Sequence, residues 1–372
     1  MNRRLALAAG VAFALCVALP KSVIAGTLGV PAGRAGIGPA QLAVVVNTAD
    51  KLSVAIGDYY SRRRQIPKAN LIRVSFDPNR DELPEKEFAA IRATVAARTG
   101  KPVQAYALTW ARPWRVGCMS ITAAFAFGFD SQYCASACNL TRPSPYFNAA
   151  TSRPHDDLNM RPTMSIAAGD WAGAKALIDR GVASDGTQPV GTAYLVESND
   201  PLRNSRVPEY VSVDNVLRRP FKIDVLHAEE VRDRDDVMFY FIGAVSVPDL
   251  ATNRFLPGAI ADHLTSFGGM LTANSGQMSS LRWLEAGATG SYGTVVEPCA
   301  FPEKFPNVLV VMSHYFAGET LIEAYWKSVV MPGQGLFIGE PLAAPFRPHN
   351  IDRRKAAATH ERQQTVTRLE LG

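Results

Sequence analysis

Leu42-Ala43-Val44-Val45-Val46-Asn47, followed by Thr48-Ala49-Asp50, decides the class of this chain. Five apolar residues in a row before Asn47 suit a short strand buried on both faces, as in a mostly parallel sheet. Thr48 to Asp50 then offer side-chain oxygens to the orphan amides of a helix start. Leu52, Ile56 and Tyr59-Tyr60 recur along that helix, Arg62-Arg63-Arg64 occupy its last turn where the dipole favours cations, and Ile66-Pro67 stops it. The alternation continues outward. Residues 70–76 predict a second strand, 83–98 a helix with Phe88, Ile91 and Val95 on one face, and 103–109 a third strand. Such alternation predicts an α/β fold with a mostly parallel central sheet and helices on both faces.

After residue 110 the pattern breaks. Residues 111–162 are rich in Cys, Pro, Gly and aromatic side chains, including Ser144-Pro145-Tyr146-Phe147. A stretch of that length without a period is a lid, a functional insertion or a disulfide-held loop. Periodicity returns with a strand at 164–167 and a helix capped by Asp170, with Trp171, Ala174, Leu177 and Ile178 inward. Strands are expected at 192–197, 221–226 and 237–242. Residues 258–266 then predict a helix, 269–274 a strand, 278–285 a helix closing at Gly287, and 289–296 a strand. Helices at 307–316 and 320–330 and a short strand at 336–339 complete the order. The expected organisation is an N-terminal α/β subdomain with a Cys-containing loop region over 26–160, a second half over 161–346, and a polar, basic tail over 347–372.

The start of the chain reads as an export signal. Arg3 and Arg4, the apolar run 5–19 and Val23-Ile24-Ala25 before Gly26 together predict a signal peptide over 1–25. The run is shorter than the ~20 residues that cross a bilayer, and no later stretch is long and apolar enough, so no transmembrane segment is expected after cleavage. The protein is expected to be exported, to the periplasm or beyond the cell. Its formal charge of +5 falls to +2 without Arg3, Arg4 and Lys21, and the tail holds six Lys/Arg against three Asp/Glu, which leaves the body near −1. With no basic stripe on the folded part, nucleic acid is not an expected partner.

Once Cys16 leaves with the signal, four cysteines remain: Cys118, Cys134, Cys138 and Cys299. An even count in an oxidising compartment predicts disulfides, and the clustering of Cys118, Cys134 and Cys138 predicts one bridge among those three. No His stands near them at zinc-ligand spacing. His155-Asp156-Asp157 offers metal-binding atoms, but three adjacent residues in a Pro-flanked loop do not face one ion together. No phosphate-binding loop or dinucleotide fingerprint occurs, so no cofactor is expected.

Residues 41–76, with their strand, Tyr-Tyr helix and Ile-Pro turn, resemble the opening of the gingipain cysteine peptidases. Arg161-Pro162-Thr163-Met164 with Ala174-Lys175-Ala176-Leu177-Ile178 is similar to that family's strand and helix before its catalytic half. The segments 287–293, 315–324 and Ile338-Gly339-Glu340-Pro341-Leu342 resemble its C-terminal elements. The run 256–266 and Glu297-Pro298-Cys299 resemble an uncharacterised family of bacterial exported proteins, itself distantly gingipain-like. The resemblance implies a caspase-like fold, with 161–346 as its caspase-like half.

It also implies where catalysis would be. Gingipain-like peptidases carry a His directly after a glycine at one strand end and a Cys nucleophile at the end of the next. Here 238–242 is followed by Gly243-Ala244, and 270–274 by Ser275-Gly276. The dyad is missing, so the expected function is a non-peptidase binding or scaffold protein of the cell envelope, its partner an envelope protein or polymer. The alternative is a hydrolase with a rebuilt nucleophile, Ser275 or Cys299, and His263 as base, with Glu297 beside Cys299 on the rim where ligands collect in open α/β sheets.

Overall fold

A computed structural model describes residues 36–135, 138–218 and 221–348. The expected signal peptide and all but the first two residues of the 347–372 tail lie outside the described residues.

The first segment alternates as its sequence dictates: β1 (Leu42–Asn47), α1 (Lys51–Arg63), β2 (Leu71–Val74), α2 (Glu85–Arg98) and β3 (Ala105–Leu108). Every residue of β1 is buried, and Asp50 caps α1 by accepting from the Leu52 amide at 2.9 Å. A small antiparallel ribbon, β4 (Arg115–Val116) with β5 (Met119–Ser120), leads to α3 (Ile121–Phe127) and α4 (Pro154–Leu158). Next come β6 (Thr163–Ser165), α5 (Trp171–Ser184), β7 (Thr192–Glu197), α6 (Val207–Leu217), β8 (Lys222–His227) and β9 (Val237–Gly243). The chain continues with β10 (Phe255–Leu264), α7 (Leu281–Ala286), β11 (Gly290–Thr294), α8 (Val308–Phe316), α9 (Leu321–Ser328) and β12 (Gly335–Gly339).

Ten strands form one sheet in the order β2-β1-β3-β6-β12-β11-β10-β9-β7-β8. Every neighbouring pair is parallel except β11 with β12. Helices α1, α5 and α7 pack together over one face, while α6, α8 and α9, with α2 and α3, cover the other. This is an α/β fold with a mostly parallel central sheet flanked by helices, consistent with the caspase-like architecture. The single reversal at β12 has a geometric consequence. The carboxyl ends of β7, β9, β10 and β11 lie on the same edge of the sheet as the amino ends of β3 and β6.

Two expected elements are corrected. Residues 258–266 are not a helix: 258–264 belong to β10, which lies between β9 and β11 with Ala259-Ile260-Ala261 fully buried, and Thr265-Ser266 follow its end. A short apolar run reads equally as buried helix or buried strand, and Pro257-Gly258 hides the period by shifting the register between Phe255 and Ile260. Nor are 269–274 a strand. They form turns after β10, where Gly269 donates to the Thr294 carbonyl at 2.9 Å and packs so close to Gly293 that a side chain has no room. Consequently Asn274 does not end a strand beside Ile242; Leu264 does, next to Gly243. Trp171 is also corrected: it is 41% exposed and meets Tyr59 edge-on instead of entering the core.

Candidate functional site

The strand-end glycine Gly243 closes β9, and no side chain fits there because a Cβ would collide with the Arg203 carbonyl. The loop that causes this follows β7 and is tied shut: Ser198 Oγ donates to the Gly243 carbonyl, and Asn204 Nδ2 donates to the Ser198 carbonyl at 2.6 Å. Ala244, next along, donates its amide to Leu264 and is buried. The position from which an imidazole would emerge thus holds a buried methyl group, and the glycine before it is locked against the Arg203 loop.

Beside it, a pocket of about 220 Å³ opens at the carboxyl ends of the strands. It is lined by Leu202 and Arg203 after β7, Leu264, Thr265 and Ser266 at the end of β10, residues 297–300 after β11, and Phe305. Arg203 is held by Asp200 at 2.6 Å and donates from Nε to Thr265 Oγ1 at 3.3 Å. The Thr265 hydroxyl donates in turn to Gln277 Oε1 at 2.8 Å, so it is fully engaged. Glu297 accepts the Cys299 amide at 2.7 Å. Together these bring one guanidinium, one carboxylate and Ser266 to a small volume whose other walls are apolar, from Leu202, Leu264, Pro298 and Phe305, a set suited to orienting a ligand by a few polar contacts.

The sequence-derived candidates separate here. Cys299 and Glu297 reach the pocket, but Cys299 is bonded to Cys138, and in that state it has no thiolate to offer. Cys118 is bonded to Cys134, so the expected bridge within the cluster is present. Ser275 lies in the turn after β10, where its Oγ faces the Gln277 carbonyl at 3.4 Å. His263 sits in β10, 1% exposed. Trp283 Nε1 donates to its Nδ1 at 2.9 Å, and since an indole nitrogen only donates, the imidazole carries its proton on Nε2, which gives it to the Met278 carbonyl at 3.0 Å. Burial pushes its pKa down from 6.5 to about 4, with the Met278 carbonyl opposing and Arg206 and Arg203 adding to the fall. Both nitrogens are spent on structure.

Asp262 and His263 do not cooperate either, because successive strand residues point to opposite faces. Asp262 meets Arg206, whose Nη1 stands 2.7 Å from Oδ1 and whose Nη2 donates to the Ile242 carbonyl at 3.2 Å. Burial holds the Asp262 carboxyl above its ordinary value against the pull of Arg206. This buried pair fixes the ends of β9 and β10 under the pocket floor. In the 155–157 segment the acids are engaged locally, Asp156 with Arg153 at 2.7 Å and Asp157 with Thr151.

Arg203, Thr265 and Ser266 were not among the residues that sequence reasoning selected. Reading 259–264 as a strand would have exposed Thr265-Ser266 as its end. Arg203 carries no such signal, since only the fold brings the β7 loop across β9. Family models, curated proteins and solved structures yield no match to this chain.

Proposed function

We propose that this protein is an exported, non-peptidase binding or scaffold protein of the cell envelope, built on a caspase-like frame of gingipain type, with the strand-end pocket as its ligand site. One observation carries the reading: at the adjoining ends of β9 and β10 the chain has Gly243-Ala244 and Thr265-Ser266 in place of a His-Cys dyad, and the Ala244 methyl is buried. A lost general base alone costs about 10²–10⁴ in rate, and a lost nucleophile removes the covalent route. Two disulfides fit an oxidising compartment, and among the described residues no helix is long and apolar enough to cross a membrane. The export signal and the mature start near Gly26 remain part of the proposal.

The test is a broad peptide library incubated with the mature protein, oxidised and reduced, beside Ser266→Ala, Ser275→Ala, Cys299→Ala and His263→Gln variants. No cleavage is expected from any of them. Cleavage by the parent that one folded variant abolishes would establish a rebuilt hydrolase and end this reading. Envelope fractions passed over the parent and over Arg203→Ala then identify what the pocket retains: a component lost with Arg203→Ala is the expected ligand.

A further inference from the structure

The same sheet edge carries a second cavity, on the other half of the molecule. About 370 Å³ lie open where α2, α3 and α4 meet the starts of β3 and β6. Its ionisable lining consists of Arg92 on α2, Arg161 just before β6, His155 on α4 and the ring of Tyr106, whose hydroxyl is taken by Thr99 at 2.9 Å. No carboxylate lines it.

Arg92 finds no acceptor among the described residues, and its Nε is sealed from solvent. The guanidinium lies against Gly128, where a Cβ would come within 3.4 Å of it. Arg161 is held in place without being satisfied: Nε donates to the Val103 carbonyl at 3.1 Å, and the guanidinium lies over the Tyr106 ring at 5.6 Å. Neither of its Nη groups has an acceptor among the described residues. The acids of α4 do not compensate, since Asp156 and Asp157 are paired with Arg153 and Thr151. Burial lowers the Arg92 pKa, and the like charge of Arg161 lowers it further, with Tyr106 opposing.

Folded chains rarely leave guanidinium donors partly buried, unpaired and facing a second cation, because each lost acceptor costs free energy. An anion in the cavity would supply both acceptors and cancel the repulsion. We propose that this cavity binds a small organic oxyanion, phosphate- or carboxylate-bearing, gripped between Arg92 and Arg161 with its body against Phe125 and Phe127. Planar, forked donors suit both head groups, and the volume exceeds what an inorganic ion needs and falls in the range of small-molecule sites. This site is distinct from the strand-end pocket and stands or falls independently of it.

Calorimetric titration of the mature protein at low salt with inorganic phosphate, glycerol phosphate and glucuronate tests the assignment. Saturable binding of at least one is expected, weakened by about tenfold or more in Arg92→Gln and in Arg161→Gln, and unchanged in Arg218→Gln, a position that follows α6, pairs with Asp214 and is outside the cavity. Preference for the phosphates or for glucuronate identifies the head group. Should Arg92→Gln fail to fold, Arg92→Lys and Arg161→Gln carry the test, with anion-induced rise in Tm as the second readout. Absence of saturable binding of all three probes, or binding that both arginine variants leave intact, overturns the proposal.

Discussion

At the scale of single residues, the ionisable groups nearest the strand ends hold the frame together instead of reacting. His263 is the clearest case, neutral between Trp283 and Met278 with its pKa lowered to about 4 by burial. In the unfolded chain it would titrate near 6.5, so between these values the unfolded state binds the extra proton. The stabilisation is therefore complete above about pH 6.5 and lost as pH falls toward 4, and the shift amounts to about 3 kcal/mol. Denaturant unfolding at pH 7 and pH 4.5 should show that loss in the parent. In His263→Gln, which keeps an acceptor for Trp283 and a donor for Met278 but cannot titrate, this part of the pH slope should vanish. An unchanged slope would mean that His263 is already protonated in the folded protein. A catalytic base would need its free nitrogen toward the pocket, and that nitrogen is occupied.

At the scale of elements, α8 and α9 show how far an apolar pattern misleads about charge. Lys327 of α9 is wholly buried and donates to both oxygens of Glu319 at 2.8 Å, while His314 Nδ1 of α8 stands 3.0 Å from the same carboxylate. Burial raises the Glu319 pKa, but the His314 and Lys327 contacts outweigh it, and the carboxyl is held below its ordinary range. Lys327→Met leaves that carboxylate buried without its cation and should cost about 3–5 kcal/mol by urea unfolding. The double change Lys327→Met with Glu319→Leu should recover part of the loss. A cost below about 1 kcal/mol for the single variant would mean that His314 alone satisfies Glu319. The helix itself was readable from sequence, as were β1, α1, α5 and β7, because capping residues and buried runs are local signals. The charged pair was not, since nothing local tells a buried Lys from a solvated one. The misreading of β10 has a related origin: a short apolar run does not tell helix from strand, and Asp262 and His263 within it are each buried by a partner distant in sequence, Arg206 and Trp283. With that strand misplaced, the expected nucleophile fell on Ser275 and the true strand end at Thr265-Ser266 was passed over.

At the scale of the whole molecule, the last strand joins what the chain order separates. Strand β12 is inserted between β6 and β11, so the halves β2-β1-β3-β6 and β11-β10-β9-β7-β8 share one continuous sheet, which the strands of 26–160 enter where β3 pairs with β6. Covalent bonds reinforce this unequally. Cys118–Cys134 closes a local loop with a sequence separation of 16, whereas Cys138–Cys299 ties the irregular 111–162 stretch to the strand-end rim across a separation of 161. Because the entropy removed from the unfolded chain grows with the logarithm of loop length, the two bridges should contribute about 3 and about 5 kcal/mol respectively. Reduced protein is therefore expected to unfold at markedly lower denaturant than oxidised protein, in a single transition if the shared sheet makes both halves cooperate. Cys138→Ser with Cys299→Ser should account for more of that difference than Cys118→Ser with Cys134→Ser. Equal losses would show that the long loop is already restrained in the unfolded chain. Two separate transitions in the oxidised protein would show that β12 does not couple the halves. The Cys138–Cys299 pair also borders the strand-end pocket, so its loss should weaken whatever Arg203 retains, whereas loss of the Cys118–Cys134 bridge should leave that binding unchanged at temperatures where both variants are folded.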